Sequence, residues 1–371
     1  MIKDKLYRLA CLLLLITLPI YASGQDKTPV RIGIDGLTHG HVHWILSHFN
    51  KKDSPLIIVG IAESNQELID KLAKDYGFDR NIVFSNVTEM INQTKPQGVV
   101  AFNSIYEHLS TVEACASKGI HVMVEKPLAV NTEHAERMAR LAKDNEILLL
   151  TNYETTWYSA NHKAYEEAVQ RQEVGSIRKV MINDGHEGPK EIGCNEEFLE
   201  WLTDPVLNGG GAVIDFGCYG ANLMTWLMKN ELPETVSASL KQMKPEIYPN
   251  VDDDAVIVLT YPKAQAIIQG SWNWPFSRKD MEIYGTKGYI KATDATTTTS
   301  LRPNQKAQIQ KAAPLNQPND DPFSYFTAAI EGNIEVMPED LSSLENNLIV
   351  VKILDAARES AKTGKTVKLK K

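Results

Sequence analysis

Val30-Arg-Ile-Gly-Ile-Asp35-Gly36-Leu-Thr-His-Gly40-His-Val-His43 is the stretch on which the fold turns. A short apolar run, Val30–Asp35, breaks at a glycine and gives way to a helical pattern. A glycine turn between a strand and a helix lets backbone N–H groups approach a pyrophosphate at the helix N-terminus, where the macrodipole favours negative charge. The spacing departs from G-x-G-x-x-G. Gly36 stands first, Thr38 replaces the second glycine, and Gly40 is the third only in a loop one residue shorter. Gly36, Thr38, His39, Gly40 and His41 are therefore the expected cofactor contacts of this loop.

Working outward, short apolar runs alternate with helical patterns as far as Thr151. The runs are Val30–Asp35, Leu56–Ala62, Ile82–Phe84, Gly98–Phe102, His121–Val124 and Ile147–Leu150, with amphipathic segments such as Asn65–Tyr76 and Asn131–Asp144 between them. This alternation predicts an α/β fold whose first domain, residues 29–151, is a doubly wound parallel sheet of Rossmann type. Glu63 ends the second strand, where a carboxylate accepts hydrogen bonds from the adenosine ribose and repels a 2′-phosphate. No arginine follows in Ser64-Asn65, so NAD is expected over NADP.

From residue 152 the pattern changes. A helical stretch, Ala160–Gln170, precedes strands at Ile177–Asn183, Thr235–Met243, Ala255–Tyr261, Ala264–Trp272 and Met281–Tyr284. A hairpin turn, Gly285-Thr-Lys-Gly288, leads into Tyr289–Ala292. Residues 152–371 are thus expected to form an α+β domain for substrate binding and oligomerisation, with an open, mostly antiparallel sheet. One face of that sheet needs a cover, and a second subunit would supply it, giving a homodimer or homotetramer. Asp294–Pro318, rich in Thr, Asn, Gln and Pro, reads as a surface excursion, and Leu344–Lys362 as an amphipathic helix.

The chain has 371 residues, 43% hydrophobic and 23% charged, with a formal net charge of -8. That length suits two domains, and the acidic balance argues against nucleic acid, which selects basic surfaces. Lys3, Lys5 and Arg8 precede an apolar stretch, Leu9–Tyr21, too short for a comfortable transmembrane helix. The small residues Ala22-Ser23-Gly24 follow. This order is that of a secretory signal cut near Gly24, so residues 1–24 are expected to be removed. The mature chain would then be periplasmic, without stable membrane insertion. Of 4 cysteines, Cys115, Cys194 and Cys218 lie beyond this segment, without metal-ligand spacing and in odd number. His39, His41 and His43 invite a metal, His39 and His43 being one helical turn apart. The sequence shows no carboxylate or thiol placed to complete a site, and no metal is expected.

Glu125-Lys126-Pro127 is a charged pair capped by proline at the end of a buried parallel strand, where doubly wound sheets present ligand-binding groups. Preceded by Tyr106-Glu-His108 and by Ala114…Gly119-Ile-His-Val, it resembles the glucose-fructose oxidoreductase / inositol dehydrogenase / MocA family. Gly209-Gly-Gly-Ala-Val-Ile-Asp215-Phe-Gly-Cys-Tyr219-Gly-Ala-Asn222 resembles that family's second motif. Val251-Asp-Asp, Gly285-Thr-Lys-Gly and the C-terminal helix extend the likeness over nearly all of the chain after the signal segment. The resemblance implies a tightly bound NAD, with Asn103, His108, Glu125 and Lys126 beside it. It also implies a sugar-like substrate, a cis Lys126–Pro127 bond, and Asp215 and Tyr219 opposite Lys126. Many relatives carry His at the position of Tyr219.

The chemistry agrees with that placement. Moving a hydride from a carbinol carbon requires a base near the hydroxyl oxygen. A lysine beside a cationic nicotinamide and partly desolvated has its pKa pushed down, and a nearby carboxylate opposes that shift. Asp215 and Tyr219, four apart in one expected helix, would project from one face. Lys126 and Tyr219 are assigned to the proton path and Asp215 to orientation and charge balance. The family's Arg-Phe pair is replaced here by Thr155-Thr156-Trp157-Tyr158, so substrate is expected to meet other groups. Those named are Trp157, His186, Lys190 and Asn222, with Tyr158, Trp272 and Trp274 as further rings for a sugar to stack on.

Three functions fit these residues. The first is an exported NAD-dependent oxidoreductase acting on a secondary alcohol of a sugar or glycoside. The second is a redox-neutral glycoside hydrolase or lyase that oxidises a sugar carbon transiently, and the third a non-catalytic sugar or nucleotide sensor. Export to a compartment poor in free NAD favours a cofactor that stays bound.

Overall fold

A computed structural model describes residues 28–370. The expected signal segment and its cleavage point near Gly24 lie outside the described residues. Among the described residues no helix is long and apolar enough to cross a membrane.

The first unit contains β1 (Val30–Asp35), α1 (Val42–Leu46), β2 (Leu56–Ala62), α2 (Gln66–Tyr76), β3 (Val83–Phe84) and α3 (Val87–Thr94). It continues through β4 (Gly98–Ala101), α4 (His108–Ala116), β5 (His121–Glu125), α5 (Thr132–Asp144) and β6 (Leu149–Asn152). The six strands are parallel in the order β3-β2-β1-β4-β5-β6, so the chain reverses its winding between β1 and β4. Loops after adjacent strands diverge there, which opens a crevice at the strand C-termini. Strands β4 and β6 are buried throughout, as expected where helices cover both faces. The helix starts are set by asparagines: Asn65, Asn86 and Asn131 each accept a backbone N–H of the first turn.

The second unit holds α6 (Ser159–Tyr165), β7 (Ile177–Gly185), α7 (Glu196–Leu202), α8 (Ala212–Asp215), α9 (Gly217–Leu227), β8 (Thr235–Lys241) and β9 (Asp254–Thr260). Then follow β10 (Gln265–Ser271), β11 (Arg278–Gly285), β12 (Gly288–Ala292), β13 (Thr297–Leu301), β14 (Gln308–Lys311), α10 (Pro322–Ile330), α11 (Leu344–Thr363) and β15 (Val367–Lys368). The nine strands run β14-β13-β12-β11-β7-β10-β9-β8-β15. Only the β7–β10 pairing is parallel, so the sheet is mixed and mostly antiparallel. Helix α9 is buried along its whole length, and α9 and α11 lie on one side of the sheet.

Two details differ from the sequence reading. Asp294–Pro318 is not a plain excursion: β13 and β14 within it extend the sheet by two strands, with Thr298 and Thr299, β-branched residues suited to a strand, pairing with Ala292 and Lys291 of β12. The later chain also returns to the first unit. Phe323, Tyr325 and Phe326 of α10 join the apolar cluster on one face of the parallel sheet, and Val351 of α11 joins the cluster on the other. A linear division at residue 151 thus falls inside β6 and hides a shared core.

Candidate active site

Strand β5 ends at Glu125, and the following Lys126–Pro127 peptide is cis, as the motif implied. Lys126 is 5% exposed. Its Nζ donates to Asp215 Oδ1 at 2.5 Å and to the Asp215 carbonyl at 2.9 Å. Trp272 Nε1 donates to the other carboxylate oxygen at 2.9 Å, so Asp215 is held from both sides. Burial pulls the Lys126 pKa down, but Asp215 more than offsets it and leaves the group above the ordinary lysine value. Burial likewise raises Asp215, and Lys126 with His186 brings it below the usual aspartate value. Both directions describe an ionised pair.

Asp215 and Tyr219 do not share one helix, which corrects the expected geometry. The chain breaks at Phe216 between α8 and α9. Asp252 causes the tight entry. Its carboxylate accepts the Gly211 and Val213 N–H groups, and its carbonyl accepts that of Ala212. A Cβ at Gly211 would fall 1.7 Å from the Asp252 carbonyl oxygen, so only glycine allows this approach. Tyr219 still reaches the site: Lys126 Nζ lies 5.1 Å from its ring centre, and Lys279 Nζ lies 4.9 Å from the same ring. Its hydroxyl makes no hydrogen bond among the described residues. Burial holds that phenol well above the ordinary tyrosine range, so it is a neutral group.

A cleft of about 420 Å³ opens over these groups, lined by Lys126, Asp215, Tyr219, His186, Lys279 and His39 among others. Lys279, which the sequence reading missed, also pairs with Glu154. His186 lines the cleft as expected, its Nδ1 accepting the Gly188 N–H. Three expected substrate residues do not line it. Lys190 is exposed outside, with its backbone N–H on the Tyr248 hydroxyl. Asn222 is fully buried, donating to the Leu341 carbonyl and Asn346 Oδ1 at 2.8 and 2.9 Å, and it ties α9 to the approach of α11. Trp157 lines a separate cleft of about 600 Å³ with Tyr325, and its Nε1 donates to Asn152. Asn152 in turn donates to Glu125, so Trp157 braces the strand end indirectly. Trp272 is a buried carboxylate partner rather than a sugar platform, and Trp274 stacks on Arg278.

The glycine loop sits at the crevice. Gly36 has φ +82°, and a Cβ there would meet Asn103 at 2.8 Å, so glycine is required twice over. Asn103 supports the loop from below, donating to Asp35 and Thr111. His108 is fully buried, with Nδ1 at 3.1 Å from the Leu128 carbonyl; it holds the turn after Pro127 and does not line the cleft. Glu63 accepts the N–H groups of Leu37, Ser64 and Asn65, which joins the glycine loop to the start of α2 and places a carboxylate at the end of β2. The loop fits a dinucleotide on two further observations. A Cβ at Gly40 would meet nothing within 4 Å, so its face is open, and the buried His39 Nε2 has no hydrogen-bond partner. These residues would hold the pyrophosphate and adenosine ribose.

A carboxylate does accompany the histidines, contrary to the sequence reading. Glu125 lies with His39 and His41, the three candidate ligand atoms being within 4.8 Å of one another, while His43 turns away to the Tyr76 hydroxyl. Burial alone would raise the Glu125 carboxyl, but His41 and His39 outweigh it and hold the pKa at about 2. Ring protons decide how the trio is used. His39 Nδ1 accepts the His41 backbone N–H at 3.1 Å, which puts the neutral ring's proton on Nε2. That nitrogen is then a donor without a lone pair for a cation, and His41 Nδ1 is engaged with Glu125 at 3.0 Å. The trio is a hydrogen-bonded brace under the loop. Cys115, Cys194 and Cys218 all carry free thiols.

A six-stranded doubly wound sheet, a glycine loop at its switch point and a buried lysine–aspartate pair facing the crevice define a nicotinamide-dependent oxidoreductase scaffold. Comparison with known proteins agrees. Residues 30–153 match the oxidoreductase family with NAD-binding Rossmann fold, and residues 162–291 the GFO/IDH/MocA C-terminal domain. The chain belongs to the Gfo/Idh/MocA family of oxidoreductases, and its first unit is the NAD-binding Rossmann domain. It is 24% identical over 273 residues to the myo-inositol 2-dehydrogenase of Thermotoga maritima, covering 73% of this chain and 77% of that protein. Among solved structures, the aldose-aldose oxidoreductase of Caulobacter crescentus complexed with glycerol superposes with a TM-score of 0.77 at 20% identity, over 92% of this chain and 100% of the other. An inositol dehydrogenase homolog from Azotobacter vinelandii complexed with NAD+ gives 0.77 at 16% identity, over 92% and 98%.

Proposed function

We propose that this protein interconverts a secondary alcohol of a sugar or glycoside and the corresponding ketone, with Lys126 and Tyr219 handling the hydroxyl proton. The observation that carries this reading is the buried Lys126–Asp215 pair opening on the cleft beneath Tyr219. Bound NAD would supply the hydride acceptor, and a cationic ring beside Lys126 would favour the neutral amine. As the neutral amine, Lys126 Nζ would take the hydroxyl proton while the carbinol hydrogen leaves as hydride, and would return that proton to the carbonyl oxygen in reverse. Asp215 fixes the ammonium, and Trp272 fixes Asp215. The neutral Tyr219 hydroxyl serves as the second hydrogen-bonding group on the same oxygen. Lys279, paired with Glu154, offers a polar wall for the remaining hydroxyls.

NAD is proposed over NADP because the Glu63 carboxylate sits at the end of β2, where it repels a 2′-phosphate. Export is proposed from the basic, apolar and small-residue order of residues 3–24. Self-association through the second sheet is supported by the half-exposed outward residues of β9.

The test is to incubate the protein and its Lys126→Met variant with a panel of aldoses, polyols and glycosides, following cofactor absorbance and ketone formation. Lys126→Met is expected to lose turnover while still binding NAD. A variant with full activity would overturn the assignment.

A further inference from the structure

The second glycine of a dinucleotide loop is normally bare so that backbone can approach pyrophosphate. Here that position is Thr38, and its side chain is in use. Thr38 Oγ1 donates to the Phe102 carbonyl at 3.3 Å and accepts the indole N–H of Trp201 at 3.1 Å. Trp201 lies on α7, in the other unit of the fold, 163 residues away. The next loop residue is enclosed by the same helix. The His39 ring stacks on Trp201 at 5.8 Å and meets Phe198 edge-on at 5.0 Å, and these two rings pack on each other at 4.9 Å. His39 is 2% exposed, and its Nε2 stands 3.9 Å from Glu125 Oε2 without a hydrogen bond.

The chain on either side of α7 is suited to carry it across. Gly188 and Gly193 precede it and Gly209 follows, all at positive φ. The Leu207 carbonyl accepts the Tyr106 backbone N–H, which pins the exit of α7 to the first unit.

We propose that α7 is the roof of the dinucleotide site, with Trp201 and Phe198 closing over Thr38 and His39 to retain a pyrophosphate-bearing cofactor from one turnover to the next. This rests on the reading that NAD binds the glycine loop. Thr38 supplies the latch that a glycine lacks. Release of the cofactor then requires the Trp201–Thr38 hydrogen bond to break and α7 to lift.

The test is the rate of NAD release, which needs no sugar substrate. Protein loaded with NAD is freed of excess and mixed with an NAD-consuming scavenger, and residual bound NAD is followed for wild type, Trp201→Phe and Thr38→Val. Thr38→Val removes the hydroxyl while keeping the side chain's shape, and Trp201→Phe removes the indole N–H together with part of the ring. Each is expected to speed release roughly tenfold, the worth of one hydrogen bond between well-placed groups. The double variant is expected to release no faster than either single one, since both break the same contact. The melting temperature of NAD-free Thr38→Val, which keeps the packing, should move little, and this separates a latch from a general loss of packing. Release at the wild-type rate in both variants, with NAD bound, overturns the roof alone. NAD binding to Trp201→Phe but not to wild type also overturns it, because the indole would then be a plug. No binding by any of the three overturns the cofactor reading as well.

Discussion

Asp215→Asn keeps the shape of the residue and removes the one charge that pairs with Lys126. The ammonium then faces two options. It stays charged without a partner, which costs about 3–5 kcal/mol for a buried ion, or it loses its proton. One pKa unit corresponds to about 1.4 kcal/mol, so proton loss becomes the cheaper course once the pKa has fallen by about 2–4 units. The wild-type group stands above the ordinary lysine value of 10.5 because Asp215 outweighs burial. In the variant burial, the largest influence on this group, is no longer opposed by Asp215, and the pKa is expected to fall. If Lys126 is the base, the limb of kcat/KM that rises with pH should move to lower pH, while the plateau falls because the amine is less well oriented. Stability should follow the same titration. In wild type the raised Lys126 pKa gives stability that is present below 10.5 and lost above it. The lowered Asp215 pKa gives stability present above 3.8 and lost below it. In the variant the depressed lysine pKa makes the region below 10.5 the costly one, so the loss in melting temperature relative to wild type should shrink as pH rises towards 10.5. Activity profiles and thermal melts over that range check both. A limb that stays in place while the protein remains folded would refute Lys126 as the proton acceptor.

Three further outcomes are expected. Tyr219→Phe should lower kcat by roughly a hundredfold or more while leaving the melting temperature nearly unchanged, since the hydroxyl has no partner among the described residues and the ring stays; unchanged turnover would make the tyrosine mere wall. Asn222→Ala should cost about 1–3 kcal/mol in denaturant unfolding without altering KM, because its amide donates to Leu341 and Asn346 and not to substrate; a raised KM at unchanged stability would return it to the substrate site. Asp35 is buried and its carboxyl is pushed up to about 7. The penalty for ionising it sets in as pH rises above the unfolded value near 3.8 and is complete above about 7. Asp35→Asn should therefore raise the melting temperature at about pH 8 more than at about pH 4, and an equal change at both would contradict the assignment.

The parallel sheet was legible in the sequence because both of its signals are local. Apolar runs such as Leu56–Ala62 and asparagine caps such as Asn65 act within a few residues, and alternating with helices they permit little but a doubly wound sheet. The position of Lys126 at a strand end was legible for the same reason. Partner choice was not, because it depends on which distant side chains packing brings together. Asp215 comes from 89 residues away, and Glu125 meets His41 across 84. Nothing local distinguishes a tryptophan that stacks on sugar from one that holds a carboxylate, so Trp272 was misplaced until packing showed its indole N–H on Asp215. Thr38 gave only the sign of a missing glycine. That its hydroxyl meets Trp201 is a fact of how the two sheets sit together. Sequence by itself determined the sheet, the cofactor loop and the lysine, through periodicity and turn chemistry. Tertiary structure alone decided which groups face the lysine and what covers the loop, because hydrogen-bond partners in a buried site are selected by three-dimensional proximity and by the need to leave few polar atoms unanswered.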